Sequence, residues 1–335
     1  MQPTYLIAGQ LRRDYLLPPE GRPLLDVAGG NLLYAAAGAR IWSDKIGLLS
    51  RVGEDYPQEW IRQFAERGFD TQGIRILPGG MDLRSFRAYM DVSTWQTSNP
   101  VAHFARLGLP FPKSLLGFQP RSDQQQDSRS RPAPDSPRIT DIPQNYFDAK
   151  AVHICPTDYV SHTQLLPAFR QANVLTTSLD PSPGYMLPGF FEDVRSLLHG
   201  LTVFLPSEAE VRSLFWGRTN DLWEMIEAIG SWGVEFVIIK RGGLGQMIYD
   251  ASNHRRFEVP AYPARVSDPT GAGDAFCGGF IVGYLQDYDP VRAALYGNVS
   301  ASLTLEGSGV FFALEALPGL AQARLETLKE IVREA

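Results

Sequence analysis

Two rhythms of apolar residues run along the chain. Short, nearly continuous apolar runs at 5–9, 151–154, 174–179, 201–205 and 234–239 predict buried strands, the first closed by a turn at Gly9. Stretches of helical spacing lie among them, at 162–171, 207–215 and 221–232. An earlier one at 55–67 carries Trp60, Ile61 and Phe64 on one face and stops at Gly68. Strands alternating with helices predict an α/β fold: a doubly wound, mostly parallel sheet with helices on both faces. Residues 81–101 differ, because 85–90 alternate apolar with polar and lead into no helix. They predict an antiparallel strand of a small accessory sheet, with partner strands expected in 11–27.

Composition narrows the function classes. Of 335 residues, 44% are hydrophobic, enough for a sizeable core in two domains or one large α/β unit. The 31 basic and 37 acidic residues give a net charge of −6, which argues against a chain built to hold nucleic acid. Cys155 and Cys277 cannot form a disulfide framework and suit a reducing compartment. No apolar run approaches the ~20 residues of a membrane span, and the N-terminus lacks the marks of a secretory signal. A cytoplasmic protein with no membrane or nucleic-acid partner is expected. One segment stands apart. Residues 119–138 contain four each of Gln, Pro, Ser and Arg, three Asp and one Ala, a composition that predicts a flexible, solvated loop.

The chemistry concentrates at Asp268-Pro269-Thr270-Gly271-Ala272-Gly273-Asp274-Ala275-Phe276-Cys277-Gly278-Gly279-Phe280. A turn of small residues leads into an apolar helix running to about Leu285. The helix N-terminus offers unpaired N–H groups and the positive end of its dipole, and glycine and alanine leave room for an anion against the backbone. Asp274 in the first turn sits beside that anion. Held there, it is expected to stay ionised near neutral pH and to take a proton from an attacking hydroxyl. Cys277, one turn on, reads as a small packing residue.

This string resembles the C-terminal signature of the ribokinase-like (PfkB) carbohydrate kinase family, and further landmarks follow in order across the chain, the 119–138 segment excepted. The resemblance implies one ribokinase-like kinase domain over 1–335, with a small β lid from about 11–27 and 81–112. It implies transfer of the γ-phosphoryl of ATP to a hydroxyl of a sugar or related polyol, with Asp274 as base and Gly271, Ala272 and Gly273 in the anion hole. A nucleoside kinase, or a sugar-binding relative without turnover, is the alternative. Asp268 and Thr270 stand where many members hold a monovalent cation such as K+. Leu205-Pro206-Ser207-Glu208-Ala209-Glu210 matches an Asn-x-x-Glu motif with Ser207 in place of Asn, so Glu210 would meet Mg2+ through water.

Lys240, Gly242 and Gly245 match the glycine turn beside the nucleotide, with Lys240 where threonine is frequent, and Asn298 falls near the adenine. At the other end, Gly9-Gln10-Leu11-Arg12-Arg13-Asp14 resembles the segment carrying a substrate-binding aspartate, Asp14. Gly29, Gly30 and Asn31 form a turn before a helix expected over 34–42. Tyr34 replaces a frequent asparagine in the substrate pocket, so it is expected to narrow the pocket or stack on a flat ligand. Homodimers are among the assemblies the family uses.

Overall fold

Strands of the large sheet are apolar on both faces because helices roof each face. The structure is a computed structural model describing residues 2–120, 126–172, 174–330 and the backbone of 333–334. Its first part runs β1 (Tyr5–Ala8), β2 (Arg12–Leu17), β3 (Leu24–Gly29), α1 (Asn31–Arg40), β4 (Ile46–Gly53), α2 (Gln58–Glu66) and β5 (Asp70–Leu77). Next come β6 (Arg84–Tyr89), β7 (Trp95–Gln96), α3 (Pro100–Arg106), β8 (Ala151–Ile154), α4 (Tyr159–Gln171), β9 (Thr176–Leu179), α5 (Phe191–Leu198) and β10 (Val203–Phe204). The rest is α6 (Glu208–Leu214), α7 (Leu222–Gly230), β11 (Phe236–Lys240), β12 (Gln246–Asp250), β13 (Arg255–Val259), α8 (Ala272–Asp287), α9 (Pro290–Leu305), α10 (Leu320–Lys329) and β14 (Arg333–Glu334).

The large sheet has the order β14-β13-β12-β11-β10-β9-β8-β1-β4-β5. It is parallel from β5 across to β11 and antiparallel from there to β14. Alternation sorts its side chains. Leu6, Ala8, Val237 and Ile239 pack under α4 to α7, whereas Tyr5, Ile7, Phe236 and Ile238 pack under α1, α2 and α8 to α10. This is the expected doubly wound architecture. No helix among the described residues is long and apolar enough to cross a membrane.

A second sheet, β3-β2-β6-β7, forms the lid. Its central pair, β2 with β6, is parallel rather than antiparallel as expected, because α1, β4, α2 and β5 intervene and return the chain in the same direction. Tyr15, Leu17, Phe86 and Ala88 point to one face, where Phe104 and Leu115 cover them. Arg12, Asp14, Ser85, Arg87 and Tyr89 therefore occupy the other face.

Helices α1 and α8 pass at glycine contact: a Cβ on Gly278 would lie 1.8 Å from the Ala35 carbonyl oxygen, and one on Gly38 2.1 Å from that of Ala275. Helix α1 begins at Asn31, three residues before the expected start, so its N-terminus and that of α8 are brought together.

Most of 126–134 is exposed, whereas 135–137 are buried, so the solvated-loop expectation does not extend to the end of the segment. Asp135 and Ser136 are fully buried, and Arg129 bridges to Asp193 while its guanidinium lies 3.9 Å from the centre of the Phe190 ring. Here ion pairs and hydrogen bonds, which composition does not display, replace apolar burial. Residues 121–125 lie outside the described residues.

Candidate active site

The carboxyl ends of β9, β10 and β11 converge on the N-terminus of α8, the usual position for a ligand cleft in an open α/β sheet. Gly271 caps α8 with φ +76°, and its face is pressed so tightly on Tyr34 that a Cβ would lie 2.0 Å from the ring. Any larger residue would be both strained and obstructed there. Beyond it, Ala272, Gly273 and Asp274 form the first helical turn, whose N–H groups have no intrahelical acceptor.

Asp274 is half-buried among charges. Burial, with Asp180 and Glu210 nearby, pushes its pKa up to about 7, while Lys240 and Arg87 hold it down. Three acidic groups, Asp180, Glu210 and Asp274, thus lie within electrostatic reach of one another, and Asp274 sits above the usual carboxylate range.

Lys240 ends β11 and forms an ion pair with Asp180, which follows β9. Burial alone would lower the Lys240 ammonium; Asp180, the Cys277 sulfur and Glu210 outweigh it and leave the pKa raised. Cys277 is more than a packing residue, since its sulfur lies 3.5 Å from both the Lys240 Nζ and Asp180 Oδ2. The glycine turn after Lys240 is the β11–β12 hairpin, with Gly242 and Gly245 both at positive φ.

Ser207 and Glu210 form a capping box at the start of α6. The Ser207 N–H and hydroxyl donate to Glu210 Oε2 at 2.7 and 2.8 Å, and the Glu210 N–H donates to Ser207 Oγ at 3.3 Å. Serine therefore performs the local hydrogen bonding that asparagine would. Burial and Asp180 push Glu210 up to about 7, opposed by Lys240 and by the Ser207 hydrogen bonds.

Opposite stands the lid face. Asp14 is buried, accepts from the Gly30 N–H at 3.3 Å, and fills the space where a Gly29 side chain would go. Burial pushes its pKa up to about 6 against Arg87, that hydrogen bond, Arg12 and Ser85. Arg87 lies within the electrostatic reach of both Asp14 and Asp274. The Tyr89 hydroxyl meets Thr270 Oγ1 at 2.9 Å, tying the lid to the turn before α8. Trp95 pairs across from Tyr89, lies under Arg87 and is 49% exposed.

Several expected site residues have structural work in the fold. Asn31 Oδ1 accepts from the Gln10 N–H at 2.8 Å, and its Nδ2 donates to the Pro156 carbonyl at 2.6 Å. Asn298 exchanges two hydrogen bonds with Gln246 and donates to the Pro260 carbonyl, fastening α9 to β12. The Tyr34 ring is buried against Gly271, within electrostatic reach of Asp14, Asp268 and Arg87. Asp268 Oδ1 accepts from the Thr270 N–H at 2.9 Å, whereas its buried Oδ2 has no hydrogen-bond partner among the described residues.

Asp180, Arg87, Tyr89 and Trp95 escaped the sequence reading. A signal existed for Asp180, which directly follows a predicted strand. For Arg87 and Tyr89 the alternation of 85–90 shows only that 85, 87 and 89 share a face, not what that face meets, and Trp95 lies outside the run.

Comparison with known proteins gives a consistent picture. Residues 143–317 match the family model described as pfkB family carbohydrate kinase. A cytidine kinase from Thermococcus kodakarensis is 26% identical over 279 residues, 83% of this chain and 87% of that protein. Among solved structures, a Burkholderia thailandensis nucleoside kinase in complex with inosine superposes with a TM-score of 0.70 at 21% identity, covering 96% of both chains. The fructokinase of Xylella fastidiosa with bound ATP gives 0.71 at 18% identity, over 98% of this chain and 100% of its own.

Proposed function

The chain belongs to the pfkB family of carbohydrate kinases, and we propose that it transfers the γ-phosphoryl of ATP to a ribosyl hydroxyl of a nucleoside, with Asp274 as general base. The observation that carries the reading is Asp274 itself. It opens a helix at a turn suited to an anion, lies within electrostatic reach of the cations Lys240 and Arg87, and has its pKa pushed up to about 7. A base poised near the operating pH takes a proton most effectively.

In the reaction, the acceptor hydroxyl donates its hydrogen bond to Asp274. Its oxygen forms the new bond to the γ-phosphorus, the bond to the ADP oxygen breaks, and the proton passes to Asp274. The N–H groups from Gly271 to Asp274 face the transferring phosphoryl, with Lys240 and Arg87 supplying positive charge. The Gly242–Gly245 hairpin lies along the nucleotide.

Glu210 and Asp180 offer the oxygen donors a hard divalent cation needs, and Mg2+ when bound neutralises phosphate charge. The unpartnered Asp268 Oδ2 fits a monovalent cation such as K+ beside Thr270. Asp14 accepts from sugar hydroxyls. A nucleoside is favoured over a free sugar because the exposed Trp95 shares the cleft face with Arg87, a platform suited to a flat base. The cytidine kinase relative points the same way.

The test is initial rates with Mg-ATP against cytidine, inosine, ribose, fructose and inositol. Cytidine or inosine should exceed ribose in kcat/KM by about tenfold or more. Faster turnover of a free sugar would return the acceptor to the sugar class.

A further inference from the structure

The polar segment that composition sets apart reaches the acceptor side of the cleft. Asp135 is fully buried and forms an ion pair with Arg12, Oδ2 to Nη1 at 2.6 Å. The Arg12 Nη2 donates to Gln10 Oε1 at 2.7 Å, and Gln10 Nε2 donates to Ser136 Oγ at 3.3 Å across 126 residues of chain. These four side chains close a ring between the strand-one exit and the segment. The Gln10 N–H, through Asn31 Oδ1, fastens the ring to the turn that carries Gly29 and Gly30.

Burying a carboxylate against an arginine is a poor way to gain stability, since apolar side chains of similar volume do as well or better. What such a pair fixes is position. Arg12 stands two residues before Asp14 on the lid face that looks at the catalytic turn, and its side chain remains 15% exposed. A guanidinium and a carboxylate side by side can take the oxygen and the hydrogen of neighbouring hydroxyls.

We propose that residues 126–138 form one wall of the acceptor site. Asp135 and Ser136 are positioning residues that hold Arg12 and Gln10 beside Asp14, and Arg12 reads hydroxyl oxygens of the acceptor. The proposal rests on the kinase reading above for the nature of the ligand, and on the hydrogen-bonded ring for everything else.

The test separates acceptor from nucleotide kinetics, using whichever of cytidine, inosine, ribose, fructose or inositol the wild type phosphorylates fastest. Asp135→Asn should raise the acceptor KM about 10- to 100-fold, the worth of a charge-assisted hydrogen bond, with kcat and the KM for ATP within about threefold of wild type. Arg12→Ala should do the same, and the double variant should be no worse than Arg12→Ala alone, because both act through one group. Should Asp135→Asn fold poorly, Ser136→Ala and Gln10→Ala strand no charge and should show the same split at about two- to fivefold. An unchanged acceptor KM in the folded variants would overturn the proposal. So would equal losses in kcat and both KM values with a lowered Tm, which would make Asp135 a purely structural group. If the wild type phosphorylates none of the five, the kinase reading falls and this one with it; an active wild type with indifferent variants removes this one alone.

Discussion

The two walls of the cleft are built by different rules. On the α/β side, Asp180, Glu210, Lys240 and Asp274 are each placed by the end of a strand or the start of a helix, and each lies close in sequence to a recognisable turn. On the lid side, Arg12, Asp14, Arg87, Tyr89 and Trp95 are placed by alternation and by register between strands, β2 and β6 being distant in the chain. The α/β side concentrates acidic groups around Lys240, and two of them rise to about 7. The lid side carries arginines and an aromatic ring around one carboxylate near 6. On the proposed reading, proton and phosphoryl chemistry belongs to the first wall and recognition to the second, so damage to each should read out in a different kinetic constant.

The sharpest division comes from the two aspartates. Asp274→Asn keeps the helix cap and removes the base, so kcat should fall roughly 10²- to 10⁴-fold while ATP affinity holds, measured by steady-state rates and calorimetry. Wild-type turnover would take Asp274 out of the chemistry. Asp14→Ala should weaken acceptor binding by about 1.5–3 kcal/mol, the range for hydrogen bonds to a charged group, and leave ATP titrations unchanged. An equal loss for ATP would erase the distinction between the walls.

The same contrast explains what was legible in the sequence. The parallel sheet, its helices, the catalytic turn and the Ser207–Glu210 cap announce themselves through local signals: apolar runs, a glycine turn, a carboxylate three residues after a hydroxyl. Asp14 was legible only through family resemblance. Arg87 and Tyr89 were not, because their meaning comes from β6 lying parallel to β2, a pairing across several intervening elements. The burial of Asp135, within a segment read as a solvated loop, was hidden for a related reason. A polar composition excludes apolar burial, but it does not exclude a carboxylate buried against a distant arginine. Tyr34 was placed on the right helix, yet its contact with Gly271 depends on how closely α1 and α8 pass.

Acid sensitivity offers a finer cut between the walls. A general base works deprotonated, so kcat/KM for the acceptor should fall as pH drops through about 7, where Asp274 takes up a proton. It should fall more steeply below about 6, where Asp14 does the same. Lys240 holds Asp274 down, so Lys240→Met should move the upper inflection to higher pH and leave the lower one in place. Arg87 acts on both carboxylates, and Arg87→Met should move both inflections upward. A pH-rate profile for each variant checks this. Equal movement of both inflections in Lys240→Met would mean that the walls titrate as one unit.

The smallest effect concerns one side-chain hydrogen bond between the walls. The Tyr89 hydroxyl and Thr270 Oγ1 are buried together at 2.9 Å, one on the lid and the other in the turn before α8. Such a bond is worth about 0.5–1.5 kcal/mol, so losing it should reduce the population of the closed lid by about two- to tenfold. Tyr89→Phe removes the hydroxyl and keeps the ring against Trp95. If closure completes the acceptor site and leaves the chemical step alone, the acceptor KM should rise by that factor while kcat at saturation stays within about twofold of wild type. The reverse pattern, kcat lowered at constant KM, would place the Tyr89 hydroxyl at the reacting groups and move it from the recognition wall to the chemical one.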